Sequence, residues 1–388
     1  MKKVLIVTAA TGAGHNSVAD SVSAALRQLG TGLLEADILD WRALGGLSWT
    51  GQTSRLYACT IVHLPILWGL VYRLSDTSTF CRVFRRLMRK TWRCRTGHML
   101  RTHAPDLVIC VHPLSTQVVA EALRETGSSA PLATVVTDLA VAHATWIAPQ
   151  VSLYLVPTEE VRMSLIARGV NSQQIRLIGL PIGARFWAGE PDSGEARRQL
   201  GLTEEAFTLL LAGGGEGAGA MLSAAEAISK ARLPVQLIIA CGRNGRLRRK
   251  LDRRSLSVAN RVLGFGDNMP KVMKAADVVV SKAGALTTGE AIATGRPIVY
   301  LRPLPGQETT NARFACSHGL AHMVSSPSEL VRTMERWLAD PSEMRQLVAG
   351  AEDYRKHWTH AATRIAVVAM EMLGLAENGR PSTGDCQR

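Results

Sequence analysis

The sequence DVVVSKAGALTTGEAIATGRPIVYLRPLPGQETTN, residues 277–311, decides how the chain folds. Its opening DVVVS is a β-branched run typical of a buried parallel strand, and IVYL is a second such run. Between them, the small-residue turn KAGA leads into a segment with helical spacing, which Gly295 ends. Strand, turn, helix and strand together predict a βαβ unit with a right-handed connection.

The polar residues of this unit follow the carboxyl ends of its strands, where parallel sheets bind ligands. Gly284 lets a ligand approach the backbone, and the free N–H groups at the helix start attract anions. Glu290, expected in the first turn of the helix, is placed to accept hydrogen bonds from a diol such as ribose. A structural alternative stays open, because Thr287 and Glu290 have the spacing of a capping box.

The segment after the second strand carries amide and carboxylate groups suited to sugar hydroxyls, at Gln307, Glu308 and Asn311. The Pro305-Gly306 pair that precedes them is also consistent with a simple turn.

Composition indicates a globular protein of two domains, with 388 residues of which 46% are hydrophobic and 20% charged. A net charge of +13 favours an anionic partner, either nucleic acid or an anionic membrane surface. The seven cysteines form no C-x-x-C pair, so we interpret them as reduced thiols in a cytosolic protein. No apolar run approaches the roughly 18 residues of a membrane span.

The first half opens with a predicted strand at residues 3–9, a glycine-rich turn at 11–17 and a helix at 18–29. This start is Rossmann-like, but it lacks the third glycine and the ribose-binding acid of the dinucleotide fingerprint, so a dinucleotide site is not expected. His15 lies at the helix start, where it is either a functional residue or a solvent-facing cap.

The second half restarts with a strand at 207–211, a glycine loop at 213–219 and a helix at 220–231. Free N–H groups and the helix dipole make this an anion site. It is not a Walker loop, so a diphosphate bound without a dedicated lysine is expected.

Polar residues also follow two strands of the first half. His112 ends the strand at 107–111, and Asp138 ends the strand at 133–137, with His143 and Trp146 soon after. On one sheet edge they predict an acceptor pocket, although Asp138 alone is also consistent with a helix cap.

Residues 41–104 interrupt the alternation of strands and helices with aromatic and basic residues, among them Trp68. Four arginines at helical steps predict one basic face: Arg82, Arg85, Arg86 and Arg89. The interleaved apolar side is Val83, Phe84, Leu87 and Met88. This pattern is typical of interfacial membrane binding. A solvated basic helix is the alternative; nucleic acid is not favoured, because no binding motif accompanies the charge.

SKAGALTTGEA followed by PGQETTN resembles the donor half of the diacylglycerol glycosyltransferases, which include the monogalactosyldiacylglycerol synthases. These are related to the N-acetylglucosaminyltransferase of peptidoglycan synthesis. Matching elements elsewhere are a G-x-G-H turn at His15, P-x-L-W-x-x-x-Y at 65–72, H-P at His112 and T-D-x-x-x-x-H-x-x-W at 137–146. The resemblance implies an α/β GT-B fold, in which two Rossmann-like domains face a central cleft.

The resemblance further implies an inverting transfer of a hexose from a UDP-sugar to a lipid hydroxyl, most simply that of diacylglycerol. The base is then His15, with Asp138 as its rival, and Gly14, His112, His143 and Trp146 line the acceptor side. The implied donor residues are Gly214, Gly215, Glu216, Gly217, Arg243, Asn244, Gly264, Phe265, Met269, Lys282, Gly284, Ala285, Thr287, Glu290, Gln307, Glu308 and Asn311. Neither a metal nor a cofactor is expected, and the protein is expected on the inner face of the cell membrane.

Three alternatives stay open. They are transfer to a polyprenyl-linked cell-wall intermediate or a secondary metabolite, a UDP-sugar epimerase, and a non-catalytic binder. The sugar itself, galactose, glucose or glucuronate, is also open. The expected organisation is an acceptor domain at 1–183, a donor domain at 184–353, helices crossing back at 354–375 and a disordered tail at 376–388.

Overall fold

The computed structural model of the protein describes residues 1–9, 14–41, 64–188, 192–266 and 268–375, and for residues 65 and 88–94 it describes the backbone alone. The described residues form two six-stranded parallel sheets. The first contains β1 (Lys2–Thr8), β2 (Leu34–Asp40), β3 (Leu107–Cys110), β4 (Leu132–Val135), β5 (Val151–Val156) and β6 (Ile175–Leu177). The second contains β7 (Thr208–Ala212), β8 (Gln236–Ala240), β9 (Asn260–Leu263), β10 (Val278–Ser281), β11 (Ile298–Leu301) and β12 (Ala321–Val324).

Both sheets have a point at which the strand order reverses. The first runs β2-β1-β3-β4-β5-β6, and the second runs β12-β11-β10-β7-β8-β9. The reversal therefore falls between β1 and β3 in the first sheet and between β7 and β10 in the second. Parallel α/β sheets bind ligands beyond the carboxyl ends of the strands at such points. The loops after these four strands carry most of the predicted site residues.

Helices cover both faces of each sheet. In the first half they are α1 (Gly14–Leu29), α2 (Pro65–Ser75), α3 (Ser78–His103), α4 (Pro113–Thr126), α5 (Glu159–Ala167) and α6 (Ala184–Trp187). In the second half they are α7 (Ser193–Gln199), α8 (Met221–Ala231), α9 (Gly245–Asp252), α10 (Met269–Ala275), α11 (Ala285–Ala293), α12 (Gln307–Ser317), α13 (Pro327–Ala339), α14 (Ser342–Gly350), α15 (Glu352–Trp358) and α16 (Ala361–Met372). The central strands are buried along their whole length, which explains their continuous apolar runs.

Two strands lie where the sequence predicted none. They are β2 and β12. Both are edge strands with partly exposed residues, so neither shows the continuous apolar run of an interior strand. The first helix also begins at Gly14 rather than at residue 18.

The last helix, α16, packs on α1 of the first half. Ile365 and Ala366 share a buried cluster with Val18 and Val22. The Arg364 guanidinium donates a hydrogen bond of 2.8 Å to the carbonyl of Ile178. The predicted domain boundaries stay a prediction. Several expectations concern parts outside the described residues: the glycine turn at 11–13, the Arg89 side chain and the tail at 376–388.

The predicted basic helix is present as α3, but its faces differ from those predicted. Arg85 turns inward and donates a hydrogen bond of 2.5 Å to the side chain of Gln117 on α4. Val83 and Leu87, from the predicted interleaved apolar side, are exposed next to Arg82 and Arg86. The single basic face is therefore wrong: the outer face mixes arginine with apolar residues. No helix in the described part of the chain combines the length and apolar character needed to cross a bilayer.

Candidate active site

His15, in the first turn of α1, has a fixed tautomer. Its Nδ1 lies 2.8 Å from the carbonyl oxygen of Val111, and because a carbonyl only accepts, Nδ1 carries the proton. Burial lowers the pKa of His15 to about 4, so the ring is neutral near pH 7. Nε2 then keeps a lone pair that can accept a proton from a substrate hydroxyl.

Asp138, beyond β4, is buried and accepts hydrogen bonds on both oxygens. Oδ2 accepts from Trp146 Nε1 at 2.8 Å, and Oδ1 accepts from the amide of Gln307 in the second half of the chain. Burial raises the pKa of Asp138 above its usual value. The Trp146 ring also lies near His15, at 6.4 Å between ring centroids, so the two candidate bases flank one indole.

The other two predicted acceptor histidines are held by the protein itself. The His112 ring contacts His15 edge-on at 4.6 Å, and its Nδ1 caps α4 by accepting from Leu114 N at 3.2 Å. His143 is bonded through both ring nitrogens, Nε2 to the carbonyl of Tyr72 at 3.0 Å and Nδ1 to the Thr145 hydroxyl at 2.7 Å. His143 therefore fixes the position of α2 through the Tyr72 carbonyl.

The glycine loop after β7 packs closely against the neighbouring backbone. Gly214, Gly217 and Gly219 all have positive φ, and a Cβ on Gly217 would lie 2.0 Å from the carbonyl oxygen of Cys241. Asn244, predicted on the donor side, donates to the Gly217 carbonyl at 3.1 Å and caps α9. Asn244 therefore stabilises the conformation of the glycine loop through this hydrogen bond.

Arg243 and Phe265 lie together beside this loop, as their predicted common role requires. The Arg243 guanidinium stacks 3.7 Å from the centre of the Phe265 ring, and it pairs with Glu216 of the loop at 3.3 Å. The Phe265 ring is still 53% exposed, so a flat aromatic surface is available next to the anion site. Gly264 precedes this ring, and Met269 begins α10 shortly after it.

Lys282, one of the predicted donor residues, lies over the glycine loop, where a diphosphate site without a dedicated lysine was expected. Its side chain runs over the glycine loop, with Cε 3.3 Å from where a Cβ on Gly214 would lie, because β10 and β7 are neighbours. Its ammonium group forms an ion pair with Glu308. Burial raises the pKa of Glu308, although the lysine acts in the opposite direction. The structure thus places one cation directly at the predicted anion site.

Glu290 does not lie in the first turn of its helix. α11 begins at Ala285 with Gly284 as its N-cap, so Thr287 is in the first turn and Glu290 is in the second. The predicted capping box is therefore absent. Burial raises the pKa of Glu290 to about 8. No donor among the described residues forms a hydrogen bond with its carboxyl group, which makes a polar ligand a suitable partner.

Two predicted sugar ligands instead join the two halves of the protein. Asn311 is buried; its Oδ1 accepts from Leu139 N at 3.1 Å. The Gln307 amide, as described above, bonds Asp138. Gly14 lies against Leu286 of α11, at 3.4 Å from its would-be Cβ. The predicted acceptor and donor residues therefore form facing walls of one cleft.

Gly69 of α2 and Pro305 of the donor side form a further contact between the two halves, which the sequence did not predict. A Cβ on Gly69 would lie 2.5 Å from Pro305 Cβ. An isolated glycine within a helical apolar run is the signal that indicates such a close approach. Among the described residues, no three His, Cys, Asp or Glu side chains are grouped as metal ligands.

Comparison with known proteins identifies the family. Residues 15–182 match the family model described as monogalactosyldiacylglycerol (MGDG) synthase, and residues 208–350 match the glycosyltransferase family 28 C-terminal domain. The monogalactosyldiacylglycerol synthase of Spinacia oleracea, named chloroplastic, is 30% identical over 364 residues, which cover 90% of this chain and 68% of that protein. The chain belongs to the monogalactosyldiacylglycerol synthase family. Synthase 1 of Arabidopsis thaliana is also 30% identical, over 90% of this chain and 67% of its own.

Solved structures confirm the fold of this family member as GT-B. The chain is similar to Acinetobacter baumannii MurG, with a TM-score of 0.59 and 17% identity over 96% of this chain and 100% of that one. It is also similar to a UDP-N-acetylglucosamine 2-epimerase, with a TM-score of 0.62 and 15% identity over 99% and 100% of the two chains. At these identities the likeness shows the fold alone. With its family 28 domain, this MGDG synthase family member is a glycosyltransferase.

Proposed function

We propose that this protein transfers galactose, with inversion, from UDP-galactose to the free hydroxyl of diacylglycerol. The observation that carries the proposal is the pairing of the two walls in one cleft. On the acceptor side, His15 is neutral and its Nε2 bonds none of the described residues, and the preceding Gly14 contacts Leu286 of α11. On the donor side, Lys282 lies over the glycine loop. The names of the related synthases supply the sugar and the acceptor.

Each wall has its own part in the reaction. The acceptor hydroxyl gives its proton to His15 Nε2 as its oxygen attacks the anomeric carbon from the side opposite to UDP. The transition state gains negative charge on the departing diphosphate, which the glycine loop, the start of α11 and Lys282 stabilise. Glu290 accepts from the ribose hydroxyls, the Phe265 ring stacks on uracil, and Glu308 holds the sugar.

His15 suits the role of base better than Asp138. Both oxygens of Asp138 already accept hydrogen bonds, from Trp146 and Gln307, whereas one nitrogen of His15 is held by Val111 and the other has its lone pair available. We assign Asp138 to the orientation of the sugar and of Trp146, next to the reacting atoms.

The membrane is where the acceptor is found. The outer face of α2 is apolar, with Ile66 83%, Leu70 53% and Leu74 66% exposed, and the next helix, α3, carries the exposed residues Arg82 and Arg86. We propose that this face enters the surface of an anionic leaflet, on the cytoplasmic side of the cell membrane.

Product analysis tests the proposal. The purified protein is incubated with diacylglycerol vesicles and UDP-galactose, UDP-glucose or UDP-glucuronate in turn, and lipid products are identified by mass spectrometry and anomeric NMR. We expect β-galactosyldiacylglycerol, with much less product from the other donors. Conversion of a UDP-sugar without lipid would favour an epimerase instead, and transfer only to a polyprenyl acceptor would assign the enzyme to cell-wall synthesis.

Glu290→Ala is expected to weaken UDP binding by roughly 1–3 kcal/mol, the scale of hydrogen bonds to a charged group. Because burial raises the pKa of Glu290 to about 8, ribose binding to the carboxylate releases a proton at pH 7. Wild-type affinity should therefore increase from pH 6.5 to about 8 relative to Glu290→Gln, measured by calorimetry. The glutamine variant cancels the titration of UDP itself, and identical pH profiles would contradict the ribose assignment.

Chelation should leave turnover intact. The glycine loop, the helix start and Lys282 supply the positive potential at the leaving group, so the proposed chemistry does not need a metal ion. We expect less than about twofold change in initial rate after EDTA treatment and desalting. Loss of activity that magnesium or manganese restores would assign the leaving group to a metal.

A further inference from the structure

Helix α2 has an inverted distribution of apolar residues. Its outward face carries exposed Ile66, Leu70 and Leu74, whereas Gly69 is buried and Tyr72 is partly buried on the inward side. A helix packed on a globular protein normally buries its apolar stripe. The inward side of α2 is therefore not packed on an ordinary hydrophobic core.

That inward side contacts the donor half of the protein. A Cβ on Gly69 would lie 2.5 Å from Pro305 Cβ, so only glycine permits this approach. In return, a Cβ on Gly306 would lie 3.0 Å from the Tyr72 ring, and Gly306 has a φ of +101° that other residues rarely adopt. Two glycines, one on each half of the chain, thus fit α2 against the Pro305-Gly306 turn.

The turn that α2 contacts leads directly into the residues that face the sugar. Gly306 is the N-cap of α12, and Gln307 and Glu308 form its first turn. The Glu308 carboxylate pairs with Lys282 through Oε1 and accepts from Leu304 N at 3.0 Å through Oε2, so both of its oxygens are held. A displacement of the turn therefore displaces both side chains at once.

The other end of α2 is anchored to the first sheet. His143 Nε2 donates to the Tyr72 carbonyl, and the two rings contact each other with a tilt of 46° and centroids 4.5 Å apart. Asp76, just beyond the helix, accepts from Ala144 N at 2.7 Å and pairs with Arg168 at 2.8 Å. Tyr72 is thus fixed from the acceptor side while its ring rests on the donor-side turn.

We propose that Gly69 and Tyr72 are positioning residues for the donor sugar, and that a bilayer covering the outward face of α2 holds them against the turn. The inference rests on the proposed function, because it assigns the sugar to Gln307 and Glu308. It makes the sugar subsite, but not the UDP subsite, dependent on a helix of the acceptor half. Full engagement of the hexose then coincides with contact with the membrane.

Binding constants for UDP and UDP-galactose separate the two subsites without requiring turnover. For Tyr72→Ala we expect the UDP-galactose dissociation constant to increase about tenfold relative to that of UDP, since a displaced subsite loses sugar hydrogen bonds worth about that factor. Tyr72→Phe keeps the ring and should retain the wild-type ratio. Val71→Ala, one residue away on the outward face, is the matched control and should also retain it.

Gly69→Ala is the second variant. Alanine favours the helix, so α2 stays formed while the added methyl group pushes on Pro305. It should shift the ratio in the same direction as Tyr72→Ala, with UDP affinity within about twofold of wild type as evidence of a folded donor site.

Acceptor-free phosphatidylcholine–phosphatidylglycerol vesicles test the bilayer part of the proposal. They should shift the wild-type ratio toward UDP-galactose and leave that of Gly69→Ala unchanged. A ratio unaffected by Tyr72→Ala and Gly69→Ala, or a wild-type ratio unaffected by vesicles, overturns the proposal. Galactolipid synthesis by the wild-type protein, after diacylglycerol is added to the same vesicles, would preserve the proposed function in either case.

Discussion

His15→Ala is expected to lower kcat by about 10²–10⁴-fold, the usual contribution of a general base. UDP affinity should hardly change, because His15 lies on the acceptor wall, where its Nδ1 bonds Val111. Release of UDP under saturating donor and diacylglycerol gives kcat, and calorimetry with UDP gives the binding control. A loss of tenfold or less would transfer the role of base to Asp138, which Asp138→Asn then tests in the same assay.

The pH profile gives this prediction a second, independent readout. Burial lowers the pKa of His15 to about 4, so the neutral, proton-accepting ring is present above that pH and is lost below it. Wild-type kcat should therefore increase with pH through about 4 and be level between pH 5 and 7. It is measured with both substrates saturating, so that the effect of Glu290 on donor affinity does not contribute. The residual activity of His15→Ala should lack this acidic limb. If wild-type activity instead increases between pH 6 and 7, substrate binding restores the ordinary pKa of the His15 ring.

Sequence patterns predicted what depends on residues close together in the chain. The buried strands β3, β4 and β10 were predicted from their apolar runs, and the polar residues after them lie at the carboxyl edges of the sheets, as expected. The α/β GT-B architecture is confirmed. The edge strands β2 and β12 were missed because half-exposed strands mix polar with apolar residues.

What the sequence did not predict depends on partners distant in the chain. Helical spacing correctly predicted the helix α3, but it does not say which side of a helix meets the protein. Arg85 turned out to bond Gln117, 32 residues away. Lys282 reaches the glycine loop because β10 pairs with β7, and Asn311 meets Leu139 from the other half. Such contacts follow from the strand order, which single-sequence patterns do not determine.

Removal of the apolar outer face of α2 should have a large effect on membrane binding. Ile66, Leu70 and Leu74 are mostly exposed, and burial of such a side chain in an apolar phase is worth about 1.5–3 kcal/mol. Even with the lower value for each side chain, replacing all three with serine weakens the free energy of vesicle binding by about 4 kcal/mol. This corresponds to a roughly thousandfold decrease in the partition coefficient. Co-sedimentation with phosphatidylcholine–phosphatidylglycerol vesicles measures this loss. It should persist at high salt, because the interaction is not electrostatic.

The paired change Arg82→Gln and Arg86→Gln should cost less and behave differently. At about 1 kcal/mol for each arginine, vesicle affinity should decrease roughly 30-fold at low salt. The loss should shrink at 1 M salt, where the screening length is about 3 Å. Arg85 is left intact because it bonds Gln117, and exposed Arg261→Gln on the donor half is the control for net charge.

Equal vesicle binding by the wild type and by the variant with serine at positions 66, 70 and 74 would contradict the membrane role of α2. The face of α2 would then be covered by something other than lipid, and the acceptor would have to reach His15 from solution.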